Sequence, residues 1–306
     1  MVPSGLDSVP SPDDAAAVIA RLWERVTLER ERATRAEAIA ARCEAQSAAG
    51  PEHLRSLRAR MAVLHRQMQT RHRTSAALHE AHAFRMQAWA DGRGPAYQPV
   101  FMSAVAATMG VGSAAATLYG RRPAAVVTAA SDALARAAHD LEIVLGEGPA
   151  VTAMTAGVPV TAAGGSLADR WPLYGPAIGE LGVRAVVAVP LRHATGGCLG
   201  TLCAYSHEPV LPNSVVAVAG RVADAVTHTM LLSPPDPTTS GAVRDVPLFD
   251  ESDYQAIVHQ AAGMVAVQFG CGIDDAEHLL RARAFADSLP VEEVALSVLR
   301  QETRLD

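Results

Sequence analysis

Four groups of residues in this chain have types and spacings that could do chemistry. His65, His72 and His79 recur every seven positions, with His82 three further on, and a file of imidazoles can hold a metal or titrate near neutral pH. Cys43, Cys198, Cys203 and Cys271 supply thiols. Leu145-Gly146-Glu147-Gly148-Pro149 is a glycine-rich loop, a common shape for a phosphate cradle. Near the end of the chain, Arg281 and Arg283 offer permanent positive charge of the sort that pairs with phosphate.

Most of these chemistries are incomplete in sequence. No carboxylate or cysteine completes a metal set around the histidines, which read instead as a solvated or inter-helix polar face. The cysteines form no Cys-x-x-Cys pair and fit no zinc spacing, so they read as reduced thiols in or near packed interiors. The glycine loop lacks the Gly-Lys-Ser/Thr ending of a nucleotide cradle. Ala162-Ala163-Gly164-Gly165-Ser166 is not a nucleophile elbow, and no Ser/His/Asp set can be assigned. The expectation is a chain that is not an enzyme, with no cofactor and no metal.

The elements that position these residues follow from patterning. In 306 residues, 49% apolar but only 4% aromatic, cores must be packed with alanine and valine. All 26 basic residues are arginine, and the net charge of −6 gives no global attraction to nucleic acid or an anionic membrane. No apolar run approaches the ~20 residues that span a bilayer, and no signal peptide opens the chain, so a cytoplasmic protein is expected.

A Pro/Ser/Asp leader, residues 1–12, precedes a helical extension over 13–95, with Gly50-Pro51 dividing two long helices. In the second, Leu54, Leu57, Met61, Leu64 and Met68 alternate three and four apart, a coiled-coil seam of two heptads. An intramolecular hairpin and an intermolecular stalk would each bury that seam.

From 96 to 233 short strands alternate with helices. Strands are expected at 114–119, 125–128, 158–161, 185–191 and 199–205, helices at 132–141 and 213–232, making an α+β domain with a mainly antiparallel sheet. A proline-rich linker, 234–249, begins after Ser233-Pro234-Pro235. Residues 250–306 read as three short amphipathic helices. The first repeats Val258, Ala261 and Val265 and stops at Gly270-Cys271-Gly272. The second opens on Asp274 with Glu277 three on, and the third begins near Pro290.

Leu145-Gly146-Glu147-Gly148-Pro149, Gly157-x-Pro159-Val160, Arg170-Trp171-Pro172-x-Tyr174, Gly182-Val183-Arg184-Ala185-Val186, Val189-Pro190-Leu191 and Leu199-Gly200-Thr201-Leu202 occur in that order. Together they resemble a GAF domain, which implies a sensory or dimerising module with a pocket above its sheet. Gly164-Gly165 stands where relatives carry an acidic residue, and the Asn-Lys-Phe-Asp-Glu set of the cyclic-nucleotide-binding subgroup is missing. The signal, a small molecule or a protein, is not readable.

Gln260-Ala261-Ala262-Gly263-Met264, Leu279-Leu280-Arg281-Ala282-Arg283-Ala284 and Val294-Ala295 are similarly ordered and resemble the ANTAR domain. That resemblance implies a three-helix bundle that binds paired RNA hairpins, hence an antitermination regulator acting as a homodimer on a tandem-hairpin leader. Its RNA-binding surface would include Gln260, Ala261 and Gly263, where small residues allow close approach, with Arg281 and Arg283 supplying charge. Gly263 has an equal alternative as a helix–helix contact.

Charge pulls the other way. Residues 250–306 hold four arginines against eleven acids, a net of −7, the wrong sign for neutralising phosphates. On a helix, moreover, Arg281 and Arg283 point about 200° apart. A second reading therefore stands beside the first: a non-catalytic signalling adaptor whose bundle serves dimerisation and has lost RNA. If both arginines are tied to neighbouring acids, the adaptor gains.

Overall fold

The computed structural model describes residues 12–94, 98–119, 126–193, 196–232, 252–287, 289 and 291–300. The expected leader up to Ser11, the turn at 120–123 and the linker 234–249 lie outside the described residues.

Two long helices, α1 (Pro12–Ala49) and α2 (Glu52–Ala90), fold back on each other as an antiparallel hairpin. The pairings fix the direction: Arg30 meets Glu80 at 2.7 Å, Glu37 meets Arg73 at 3.1 Å and Glu44 meets Arg66 at 2.7 Å. Along α1 the buried positions are Ala15, Ile19, Leu22, Val26, Glu29, Ala33, Ala36, Ala40 and Cys43, a spacing of three and four sustained for four heptads.

The face that α2 turns inward is not the expected one. Ala62, Gln69, His72, Ala76, His79, Ala83 and Met86 are buried, whereas Leu57, Met61 and Leu64 point outward. Small residues on both helices allow close backbone approach, so the hairpin closes on alanine. The larger Leu/Met stripe stays on its outer surface.

The histidine file belongs to this seam. His72 Nδ1 lies 2.7 Å from Glu29 Oε2, both buried. His79 and His82 pack their rings against Phe101 at 5.5 Å, and burial holds each pKa down at about 4, keeping them neutral. Among the described residues no three His, Cys, Asp or Glu side chains gather as a metal site. The four cysteines are free thiols, and no described helix is long and apolar enough to cross a membrane.

The central domain is built on a five-stranded antiparallel sheet in the order β2-β1-β5-β4-β3. Its strands are β1 (Ser113–Tyr119), β2 (Val126–Ala130), β3 (Val160–Ala163), β4 (Ala185–Arg192) and β5 (Cys198–Ser206). Both faces are covered, which is why β4 reads as an unbroken apolar run. Alternation sends Val187, Val189, Leu191, Leu202 and Ala204 to one side. There they meet the base of α2, α3 (Phe101–Met109) and α8 (Asn213–Leu232).

Val186, Ala188, Cys203 and Tyr205 go to the other side, against α4 (Ala133–Leu145), α5 (Pro149–Ala156), α6 (Ser166–Arg170) and α7 (Tyr174–Glu180). The last three of these, and α3, are five to nine residues long, too short for periodicity to expose them.

At the C-terminal end, α9 (Ser252–Phe269), α10 (Ile273–Asp287) and α11 (Val291–Leu299) pack around a core of their own. Its members include Val258, Ala261, Val265, Leu280, Ala284, Val294 and Val298. Helix α10 starts one residue before Asp274, which therefore lies inside the first turn rather than at the cap.

Candidate functional site

The chemistry of the central domain gathers on the α4 side of the sheet. Asp132 caps α4, its Oδ1 accepting from the Ala135 amide at 2.9 Å. The helical period then turns Ala135, Ala138, His139 and Glu142 inward. Gly146, at φ 69°, ends the helix. Gly148 supplies room, since a Cβ there would stand 2.6 Å from the Glu142 carboxyl carbon. Pro149 then opens α5, whose Val151 amide donates to Glu142 Oε1 at 2.8 Å. The glycine loop of the sequence is thus a helix–turn–helix joint wrapped around one carboxyl group.

Strand alternation places Thr201, Cys203 and Tyr205 on one side of β5, and α7 contributes Tyr174. The Tyr174 and Tyr205 hydroxyls, Thr201 Oγ1 and Glu142 Oε2 are all sealed from solvent, and Tyr174, Tyr205, Thr201 and the Cys203 thiol face one another. Burial pushes the Glu142 pKa up to about 7 despite the α5 amides that favour its charged form. Burial also raises the Cys203 thiol and both tyrosine hydroxyls well above their ordinary ranges, and the nearby Glu142 charge adds to each rise. Buried polar groups that are left short of partners cost about 1–3 kcal/mol each, so this cluster is a polar island the apolar layer holds at some cost in stability.

The surrounding side chains are braces. Glu147 Oε1 accepts from the Leu173 and Tyr174 amides at 2.6 and 3.0 Å, fixing the start of α7. Trp171 is a core plug whose indole N–H donates to Thr152 Oγ1 at 3.0 Å. Arg170 donates to the Thr161 carbonyl at 3.0 Å, while the Arg184 side chain is exposed. His139, fully enclosed between Thr117 and Thr128, is held neutral by burial, with a pKa pushed down to about 3.

Compared with known families, residues 96–229 match the GAF domain model. This part of the chain is a GAF domain. It points to a signal-sensing regulatory role, and such domains often bind small-molecule signals and dimerise. Among curated proteins none matches the chain.

The expected RNA-contacting residues do not share one open face. Ala261 is fully buried in the bundle core, a correction to the surface read from sequence: the period that exposes Gln260 turns its neighbour inward. Gln260 is exposed. Gly263 is half-buried, and a Cβ built there meets nothing within 4 Å. Among the described residues, a close helix–helix approach therefore does not explain that glycine.

Both arginines are paired. Arg283 Nε donates to Asp287 Oδ2 at 2.6 Å. Arg281 Nη2 donates to Glu277 Oε2 at 3.2 Å, and its Nε lies 3.8 Å from Asp140 Oδ1 on α4 of the GAF domain. The sequence reading missed Glu142, Tyr205 and Asp140, and saw in Cys203 only a packed thiol. A signal for the first existed: Glu142 continues the inward spacing of Ala135, Ala138 and His139.

Proposed function

We propose that this chain is a non-catalytic, signal-responsive regulator of transcription antitermination, cytoplasmic and homodimeric. Its GAF domain takes a small polar signal on the Glu142–Tyr174–Tyr205 face and controls a C-terminal bundle that binds a tandem-hairpin RNA. The observation that carries the reading is a GAF domain joined to a three-helix unit with its own core, on which the ordered ANTAR-like motifs fall. The outward stripe of Leu57, Met61 and Leu64 on α2 gives two copies a surface on which to pair.

The test is a titration of the full chain against a tandem-hairpin RNA as salt is raised. Affinity should fall with a log–log slope of roughly 0.7–0.9 for each phosphate neutralised. Arg281→Ala combined with Arg283→Ala should abolish binding.

The adaptor reading is kept for two observations. Both arginines are engaged by acids. The bundle also exposes Met264, Val267, Phe269, Ile273, Leu279, Phe285 and Leu289, more apolar surface than RNA needs and suited to a protein partner. Absence of RNA binding at low salt, even in a variant whose bundle is freed from the GAF domain, would decide for the adaptor.

A further inference from the structure

Charged side chains rarely leave solvent unless a specific partner receives them. At the contact between α10 and α4 three do so together: Arg281 is 16% exposed, Glu277 14% and Asp140 18%. Each helix contributes an acid and an arginine one turn apart, Arg136 and Asp140 on α4, Glu277 and Arg281 on α10. Such an arrangement is neutral overall and has one preferred register. Arg281 bridges the two units, holding Glu277 of its own helix and reaching Asp140 across the gap.

Arg283 provides the contrast. Two positions along the same helix, it has Asp287 of α10 itself as its partner among the described residues, and it stays 40% exposed.

The position of Asp140 on α4 is informative. His139 and Glu142, on either side of it in sequence, turn toward the sheet and reach Thr117, Thr128 and the start of α5. Asp140 faces away from them, toward the bundle. One helix thus touches the buried polar cluster with one side and the bundle with the other.

We propose that α4 is a docking surface for the C-terminal bundle, and that it holds the bundle closed by capturing Arg281 between Asp140 and Glu277. Captured in this way, Arg281 is unavailable to a phosphate. The GAF domain therefore restrains the bundle by direct contact as well as through the linker between them. A signal that shifts α4 at Glu142 moves Asp140 with it, because both ride on one rigid helix. The consequence for RNA rests on the function proposed above; the docking itself does not.

Small-angle X-ray scattering of the full chain tests the docking without RNA. Asp140→Arg and Arg281→Glu each place like charges at the contact. Each is expected to raise the radius of gyration by roughly a tenth over the compact value, with unchanged circular dichroism. Arg283→Glu, which breaks a pair internal to α10, should leave it unchanged. Asp140→Asn, the milder change, should fall between.

Equal compactness of Asp140→Arg, Arg281→Glu and the parent would overturn the docking. So would expansion in Arg283→Glu, since any charge change in α10 would then suffice. Loss of helical signal in Asp140→Arg and Asp140→Asn alike would make Asp140 a part of the domain's fold and overturn it too. Tandem-hairpin RNA added to Asp140→Arg separates the two proposals. Expansion with at least fivefold tighter RNA binding than the parent supports both, whereas expansion without RNA binding supports docking and removes RNA from the proposed function.

Discussion

Gly200→Ala is expected to destabilise the GAF domain by about 3 kcal/mol, at the upper end of what overpacking a core costs. Gly200 lies in β5, paired with Leu118 of β1 on one side and Leu191 of β4 on the other. A Cβ there would stand 2.0 Å from the Thr117 carbonyl oxygen and 3.0 Å from Leu118 Cα. Both are backbone atoms of a strand that is itself held by β2, so neither can swing aside as a side-chain tip could. Relief requires β1 and β5 to part, with loss of ladder hydrogen bonds in the middle of the sheet.

A thermal midpoint lowered by roughly 10 °C is the expected reading for a domain of this size. Gly220→Ala supplies the control: it lies inside α8 with nothing within 4 Å of the added methyl. It should stabilise by about 0.5–1 kcal/mol through helix propensity alone. A Gly200→Ala midpoint within 2 °C of the parent, judged against, would show that the two strands separate at little cost.

The second large effect concerns pH. Glu142 ionises at about 7 in the folded domain against an ordinary value of 4.5, chiefly because it is buried. Below pH 4.5 the carboxyl is neutral in both folded and unfolded chains and carries no penalty. Between 4.5 and 7 the unfolded chain releases this proton while the folded domain keeps it, so stability falls as pH rises. Above 7 the full cost is present, about 3 kcal/mol for a shift of this size.

Asp140, raised by burial from 3.8 to about 6 against the opposing pull of Arg281 and Arg136, adds a slope of the same sign. Glu142→Gln retains an oxygen for the Val151 amide and removes the ionisation. Urea unfolding from pH 4.5 to 8 should show the variant matching the parent at the acid end. At pH 8 it should be more stable by up to about 3 kcal/mol. Parallel curves for the two proteins would mean that the carboxyl stays ionised in its pocket.

What the sequence revealed and what it hid divide along a physical line. The strands of the central sheet were legible because β4 and β5 are apolar on both faces and bounded by glycine, and α4 announced itself through Asp132. The inner face of the hairpin was hidden because Leu and Met look like interior residues and Ala and His do not, so the Leu/Met stripe reads as a seam that fits hairpin and stalk alike. Packing reversed that ranking, since alanine on both helices lets the backbones close and leaves the larger side chains outside. Glu142 escaped notice for a related reason: an acid inside an apolar layer makes sense only once Gly148 and the first amides of α5 are seen folded around it. Arg281 illustrates a limit of local reading, because Asp140, the residue that captures it, lies 141 positions earlier in the chain.

The hairpin has a mechanical consequence. The C-terminal half of α2 is seated on the GAF domain, through His82 and His79 on Phe101, Leu78 among the side chains of α3 and α8, and His72 on His228. The N-terminal half runs on as a stiff beam. From His72 back to Glu52, α2 extends about 30 Å beyond its contact with α8, at 1.5 Å per residue. A tilt of roughly 5° there displaces the far end by about 2.6 Å, about half a helical turn. A movement too small to disturb the sheet thus becomes, at the tip, a shift that a neighbouring molecule can read.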